Sequence, residues 1–370
     1  MMDSKPRKPR CEIVFEQSIK SEATKQMYLF YMKKFMHFVE VDNMQQLLEA
    51  DQKTIQEKVE DYVFYLKPKM NPNSVPTQLQ SILLFYDMND VVLNKVKIRK
   101  MFPAKIKKMG FKAYTREDVS KLLANTNRSR TKSIIFVLSS TGMRVGGLTK
   151  LKIRDVEQMP NSECKCLRVY TGFPEEYYSF LTPEASRMLD MYLKERSDHG
   201  EELNPESPLI SKYMNYKKST INPRHMDNVD VFHTIETIFI HLEKRKRELG
   251  GRFEIQTLHG LRKFFNKTLK MRNTANISIC EKLMSHSITV RLDNSYLPVE
   301  KEELFVEFEK AIPELTIGEE ERQLLIIKQL EEDKKEEQNK ESENKVLKEE
   351  LEILKLRMER MELSKPSLEV

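Results

Sequence analysis

The chain has 370 residues, 32% of them charged and 39% hydrophobic, with 63 Lys and Arg against 57 Asp and Glu for a formal net charge of +6. That is room for two ordinary domains. No run of about 18 apolar residues exists, which argues against a membrane-spanning helix.

The basic start, MMDSKPRKPR, lacks the apolar block of a secretory signal. Cys11, Cys164, Cys166 and Cys280 show no CxxC pairing and fit a reducing compartment, so a cytoplasmic protein is expected. No metal-ligand cluster is legible; Cys164 and Cys166 alternate with Lys165 and Leu167 as a strand would. No metal or other cofactor is expected.

Residues 1–20 read as a basic flexible arm. In 21–40, Tyr28, Tyr31, Phe35 and Phe38 recur at steps of 3, 4 and 3, one face of an amphipathic helix. Helices follow at about 51–66, with Ile55, Val59, Tyr62, Val63 and Leu66 in register, and at 74–87. KPKMNPNSVP supplies the break between them. Residues 21–92 are therefore expected to form a small helical domain.

The stretch 95–112, KVKIRKMFPAKIKKMGFK, holds eight Lys or Arg and no acid. It reads as a basic linker over 93–113. Lys95, Lys97, Arg99, Lys100, Lys105, Lys107 and Lys108 are its candidate phosphate contacts.

A domain over 114–312 follows. Thr115, Glu117 and Asp118 mark a helix start. SIIFVLSSTG (133–142) predicts a buried helix stopped by Gly142. Short strands are predicted at 163–170 and 176–182, joined by TGFPEE. Pro183 opens the next helix. Further helices are predicted at about 229–248, 257–270, 276–285 and 300–310. The fold class is thus mainly α with a small antiparallel β-sheet.

The last segment, 313–370, differs in kind. Leu347, Leu351, Leu354, Met358 and Met361 step by 4, 3, 4 and 3, an a/d heptad seam. Carried backwards, the register meets Leu330 and Ile326 but also Asp333, Glu337, Lys340 and Asn344, so its middle is polar. A long charged helix is expected, pairing as a coiled coil within 319–363, with a solitary helix as the alternative. Residues 319–363 carry 15 acids against 10 bases, leaving +11 on residues 1–318. A basic body with an acidic tail points to a polyanionic partner.

Five residues complete the reading. Arg144 follows a Thr-Gly turn in SSTGMRVGG. LHGLRKFFNKTLK holds His259 and Arg262 three apart. LMSHSITVRLDNSYLPV holds His286 and, ten residues on, Tyr296. This ordered set resembles the tyrosine recombinase (phage integrase) superfamily over about 290 residues, with GFPEEYYSFLTPEA closest to archaeal integrase-like members. The resemblance implies a helical core-binding domain at 21–92 and a catalytic domain at 114–312.

It also implies strand cleavage and rejoining of double-stranded DNA through a 3′-phosphotyrosyl intermediate, without metal or ATP. Tyr296 would be the nucleophile. Arg144 and Arg262 would grip phosphate oxygens with planar forks. His259 would act on the phosphate or the tyrosine proton, and His286 on the phosphate. A DNA-bound homotetramer is implied.

One departure stands out. The family places a general-acid lysine in the turn between two strands, and TGFPEE has none. Lys165 on the preceding strand is the nearest candidate. Two other readings stay open: a recombinase-fold protein that holds DNA with weakened catalysis, and a strand relaxer like the type IB topoisomerases.

Overall fold

The protein is described from a computed structural model covering residues 8–106, 112–213, 224–240, 242, 253–271, 276–285 and 299–363. The chain divides into two compact units, Met1–Lys108 and Met109–Val370.

The first unit is all helical: α1 (Arg10–Gln17), α2 (Glu22–Phe38), α3 (Gln52–Leu66), α4 (Val75–Met88) and α5 (Lys95–Lys100). α3 starts where the Asp51 carboxylate accepts the amides of Lys53 and Thr54, satisfying donors that the first turn leaves without partners. Its predicted stripe, Ile55, Val59, Tyr62, Val63 and Leu66, is buried throughout. α4 is buried on most of its circumference and packs against α1, α2 and α3, as an apolar central helix must.

Two segments are more ordered than the sequence expectation. Residues 10–17, expected in a loose arm, form α1, with Phe15 wholly buried and set edge-on against Phe85 at 5.7 Å. Residues 95–100, expected in a linker, form α5, capped by the Asn94 side chain. Its single inward residue, Ile98, is completely buried. In both cases an apolar side chain finds a place in a core built by distant helices, which local periodicity cannot show.

The second unit begins with α6 (Arg116–Ala124), opened by a reciprocal capping box between Thr115 and Asp118. α7 (Ser129–Thr141) is buried along its whole length and is followed by the short helix α8 (Val145–Leu148). Three antiparallel strands lie in the order β1 (Val156–Gln158), β2 (Lys165–Val169) and β3 (Tyr177–Leu181). Cys166 faces Glu157 on one side and Phe180 on the other. The three-residue β1 has no legible alternation and was not foreseen.

α9 (Pro183–Asp198) lies along α7, capped by the Thr182 hydroxyl. Then come α10 (Asn228–Glu236), α11 (His259–Met271), α12 (Ile277–Leu283), α13 (Lys301–Glu309), α14 (Ile312–Leu315) and the 45-residue α15 (Glu319–Leu363). Phe180 of β3 packs on Phe305 and Phe308 of α13, closing the sheet's inner face.

The long helix is rooted. The Glu184 carboxylate accepts the amides of Ile317 and Gly318, and Arg187 pairs with Glu321. Leu325 packs against the core of this unit. From Ile327 onward every described side chain is exposed, Leu347, Leu351, Leu354 and Met358 of the heptad seam included. Among the described residues no helix is long and apolar enough to cross a membrane.

Candidate active site

The Thr-Gly turn is built first. Gly142 caps α7 with φ +59°, and a Cβ there would lie 2.4 Å from a Phe265 ring carbon of α11. Both the left-handed backbone and the close approach demand glycine. Gly142→Ala is expected to lower stability by roughly 2–5 kcal/mol, the sum of left-handed strain and overpacking. A urea titration checks this; an unchanged midpoint would mean that the turn does not press on Phe265.

Two residues beyond Gly142, Arg144 caps α8. Its side chain is exposed, and Nη1 donates to the Ser285 carbonyl at 2.9 Å. α11 begins at His259, so His259 and Arg262 sit one turn apart on a shared face. The loop ahead of α11 is tied down by the Tyr114 hydroxyl, which donates to the Thr257 carbonyl at 3.1 Å.

Arg262 is 4% exposed. Nη1 donates to the Gly142 carbonyl and Nη2 to the Met284 carbonyl at 2.9 Å. The two guanidinium groups are thus held by successive carbonyls, Met284 and Ser285, at the end of α12. Burial, then the neighbouring Arg144 charge, push the Arg262 pKa down to about 10. It remains cationic at neutral pH, held where an anion would relieve the repulsion.

Tyr177, at the start of β3, is a residue the sequence did not single out. Its hydroxyl is buried with no hydrogen-bond partner among the described residues. Burial raises its pKa; Arg262 and Arg144 act against that rise. Beside it, Arg144, Lys150, Tyr170, Phe173, Glu175 and Ser285 line a cavity of about 300 Å³.

Arg144, Arg262 and the end of α12 therefore converge. His259 lies exposed at the head of α11. His286, the next residue after Ser285, and Tyr296 lie outside the described residues. Lys165 is not brought to this cavity. It sits on β2 in an ion pair with Asp190 at 3.0 Å and donates to the Gln158 side chain at 3.2 Å. The β2–β3 turn offers carboxylates instead: Glu176 accepts from Arg168 Nε at 2.6 Å and from the Gly172 amide at 2.7 Å.

The basic candidates of 95–108 divide. Lys95 pairs with Asp87, and Lys97 with Glu60 at 2.7 Å, so each already has a local counter-charge. Arg99, Lys100 and Lys105 are exposed. Lys107 and Lys108 lie outside the described residues.

A second basic surface of the first unit went unread. Phe30, Phe64 and Tyr65 are exposed aromatics, and the ammonium groups of Lys34, Lys67 and Lys69 lie 4.4, 5.2 and 3.5 Å from their ring centroids. Phe30 with Lys34 and Tyr65 with Lys69 stand at i,i+4 spacing, so the signal was present in the sequence. Interleaved rings and cations suit nucleic acid.

No family model matches the chain, and no curated protein sequence matches it. Solved structures do. The Tn1549 transposon integrase in complex with circular intermediate DNA aligns with a TM-score of 0.51 at 15% identity, covering 80% of this chain and 98% of that one. A lambda integrase dimer bound to a COC′ core site aligns with a TM-score of 0.51 at 14% identity, covering 79% and 97%. A lambda integrase tetramer bound to a Holliday junction aligns with a TM-score of 0.50 at 14% identity, covering 76% of each. Together with the small three-stranded sheet among helices and the long C-terminal helix, these likenesses show that the chain has the two-domain fold of the tyrosine recombinases.

Proposed function

We propose that this chain is a site-specific DNA recombinase of archaeal integrase-like type, breaking and rejoining double-stranded DNA through a 3′-phosphotyrosyl bond to Tyr296. The observation that carries the reading is the convergence of Arg144 and Arg262 on the carbonyls of Ser285 and Met284, immediately before His286. Two guanidinium groups facing one place fit a phosphodiester, whose charge grows in the pentacoordinate transition state.

A phenol with an ordinary pKa of about 10 needs a base to attack near neutrality. His259 fills that role, His286 donates to the phosphate, and Tyr296 attacks. The bond formed keeps the energy of the one broken, so rejoining needs no ATP, and the roles assigned call on no metal. The lambda integrase tetramer on a Holliday junction supports a homotetramer on DNA, and double-stranded DNA in the nucleoid is the expected partner.

The direct test uses a nicked duplex that loses its leaving fragment after cleavage. An SDS-resistant protein–DNA adduct is the expected result; its absence, with binding intact, would favour the second reading. That reading, a protein that holds DNA without cutting it, draws support from the β2–β3 turn, which offers Glu176 and no ammonium.

The heptad seam in α15 is proposed to pair protomers or to engage another coiled coil. The start of α15 is rooted in the second unit through Glu321 and Leu325, so the truncation should spare it. Removing 334–370 is expected to lower the association state on DNA while single-protomer cleavage persists. Sedimentation of the complex checks it, and an unchanged profile would assign the helix to a different role.

A further inference from the structure

With Lys165 tied to Asp190, the three strands offer no other lysine to protonate the leaving 5′-oxygen. The cavity beside Arg144 contains one. Lys150 follows α8, and its amide donates to the Gly147 carbonyl at 3.1 Å, so the turn that ends α8 carries it six residues from Arg144. Its ammonium rests 5.5 Å from the Tyr170 ring centroid and 5.1 Å from that of Phe173.

Both rings and Arg144 line the same cavity of about 300 Å³. Among the described residues Lys150 is the only ammonium lining it, and no carboxylate lies within ion-pair distance. Glu175 shares the wall without pairing with it. Lys95, Lys97, Lys112 and Lys165 each have a carboxylate; Lys150 is held by rings.

We propose that Lys150 is the general acid of strand cleavage, protonating the 5′-oxygen as it leaves the phosphate gripped by Arg144 and Arg262. The inference rests on the strand-cleavage reading above. Tyr296 oxygen forms a bond to phosphorus, and the bond from phosphorus to the 5′-oxygen breaks. The phenol proton passes to His259, and the Lys150 proton passes to the departing oxygen, giving a free 5′-hydroxyl. Rejoining runs the same transfers backwards: neutral Lys150 takes the proton of the attacking 5′-hydroxyl, and His259 returns one to the phenol.

The geometry suits the role. The ring faces hold the ammonium by cation–π attraction without neutralising it. Its proton therefore stays available to a negative oxygen. Lys150 is exposed, so its replacement leaves the core untouched.

The test separates this inference from the reading beneath it. A random-sequence duplex pool is incubated with the wild-type chain and the cleaved position mapped from the trapped adduct. That duplex is then made with ordinary oxygen, or with sulfur, as the bridging 5′-atom. A thiolate leaves unprotonated far more readily than an alkoxide, because a thiol's pKa is about 8.5.

Lys150→Met, which keeps the stem over the rings, should cleave the oxygen ester at least about 100-fold more slowly than wild type. On the sulfur ester it should match wild type within a few-fold. Arg144→Ala should be slow on both. If the wild type forms no adduct from the pool, strand cleavage fails and the Lys150 role with it. If the wild type cleaves and Lys150→Met keeps pace on oxygen, or is equally slow on sulfur, Lys150 is not the acid while the cleavage reading stands.

Discussion

Tyr296→Phe should bind DNA as the wild type does and form no covalent adduct on a nicked duplex, a loss of at least about 10³-fold in trapped product. The substitution removes one oxygen and keeps the ring, so packing around position 296 changes little. Binding affinity comes mainly from phosphate contacts by Arg and Lys, and a neutral phenol contributes little to it. Salt dependence should be the same for both proteins. The chemistry loses its only entering atom. Water could still attack a phosphate gripped by Arg144 and Arg262, but that would leave a nick and no linkage to protein. An adduct from the Phe variant would move the nucleophile to another of the 13 tyrosines. Tyr177 is then the residue to test, because its unpartnered hydroxyl lies close enough to both arginines for their charges to act on it.

How much of this was legible in the sequence depended on how local the cause was. The α3 stripe, the Thr115–Asp118 box and the Gly142 stop each arise within one or two turns of chain, and the structure has them where the pattern puts them. Arg144 and Arg262 were legible as a pair only through their order and flanking words. That their guanidinium groups meet depends on α12 presenting Met284 and Ser285. Phe15 and Ile98 were hidden because each lies in a short charged segment, and the partners that bury it lie on other helices.

Arg196 misleads in the other direction. On a helix of mixed charge it reads as solvated, yet it is wholly buried, forked onto Glu201 and donating to the carbonyls of Pro208 and Leu209. Lys150 is hidden for a different reason: nothing in TKLK marks which lysine lines the cavity. The α2 face was partly misassigned as well. Tyr28, Phe35 and Phe38 do pack on the core of the first unit, but Met32 takes the deeply buried place and Tyr31 lies beside Phe30.

The two arginines should be separable by stability, although both are proposed to serve the same phosphate. Arg262→Ala is expected to cost roughly 2–5 kcal/mol, because the Gly142 and Met284 carbonyls lose their donors in a buried place. Arg144→Ala removes an exposed side chain with one carbonyl bond and should stay within about 0.5 kcal/mol of wild type. Cleavage should fall in both, by about 10²–10³-fold for a lost transition-state donor. Arg262→Lys keeps a charge but cannot span two carbonyls, so it should recover little of either loss.

The pH dependence carries a further signature. The folded-state pKa of Arg262 is about 10, below its ordinary 12.5, so between those values the unfolded chain binds the extra proton. Stability from this group therefore rises with pH through that window, and the wild-type advantage over Arg262→Ala should widen as pH climbs above 10. A bound phosphodiester acts in the opposite sense. Its negative charge favours the cation and raises that pKa, so DNA should stabilise the wild type more than Arg262→Ala in thermal unfolding. Equal melting of the free wild type and Arg262→Ala would mean that the buried fork does not hold the turn to α12, and the shared phosphate site would lose its scaffold.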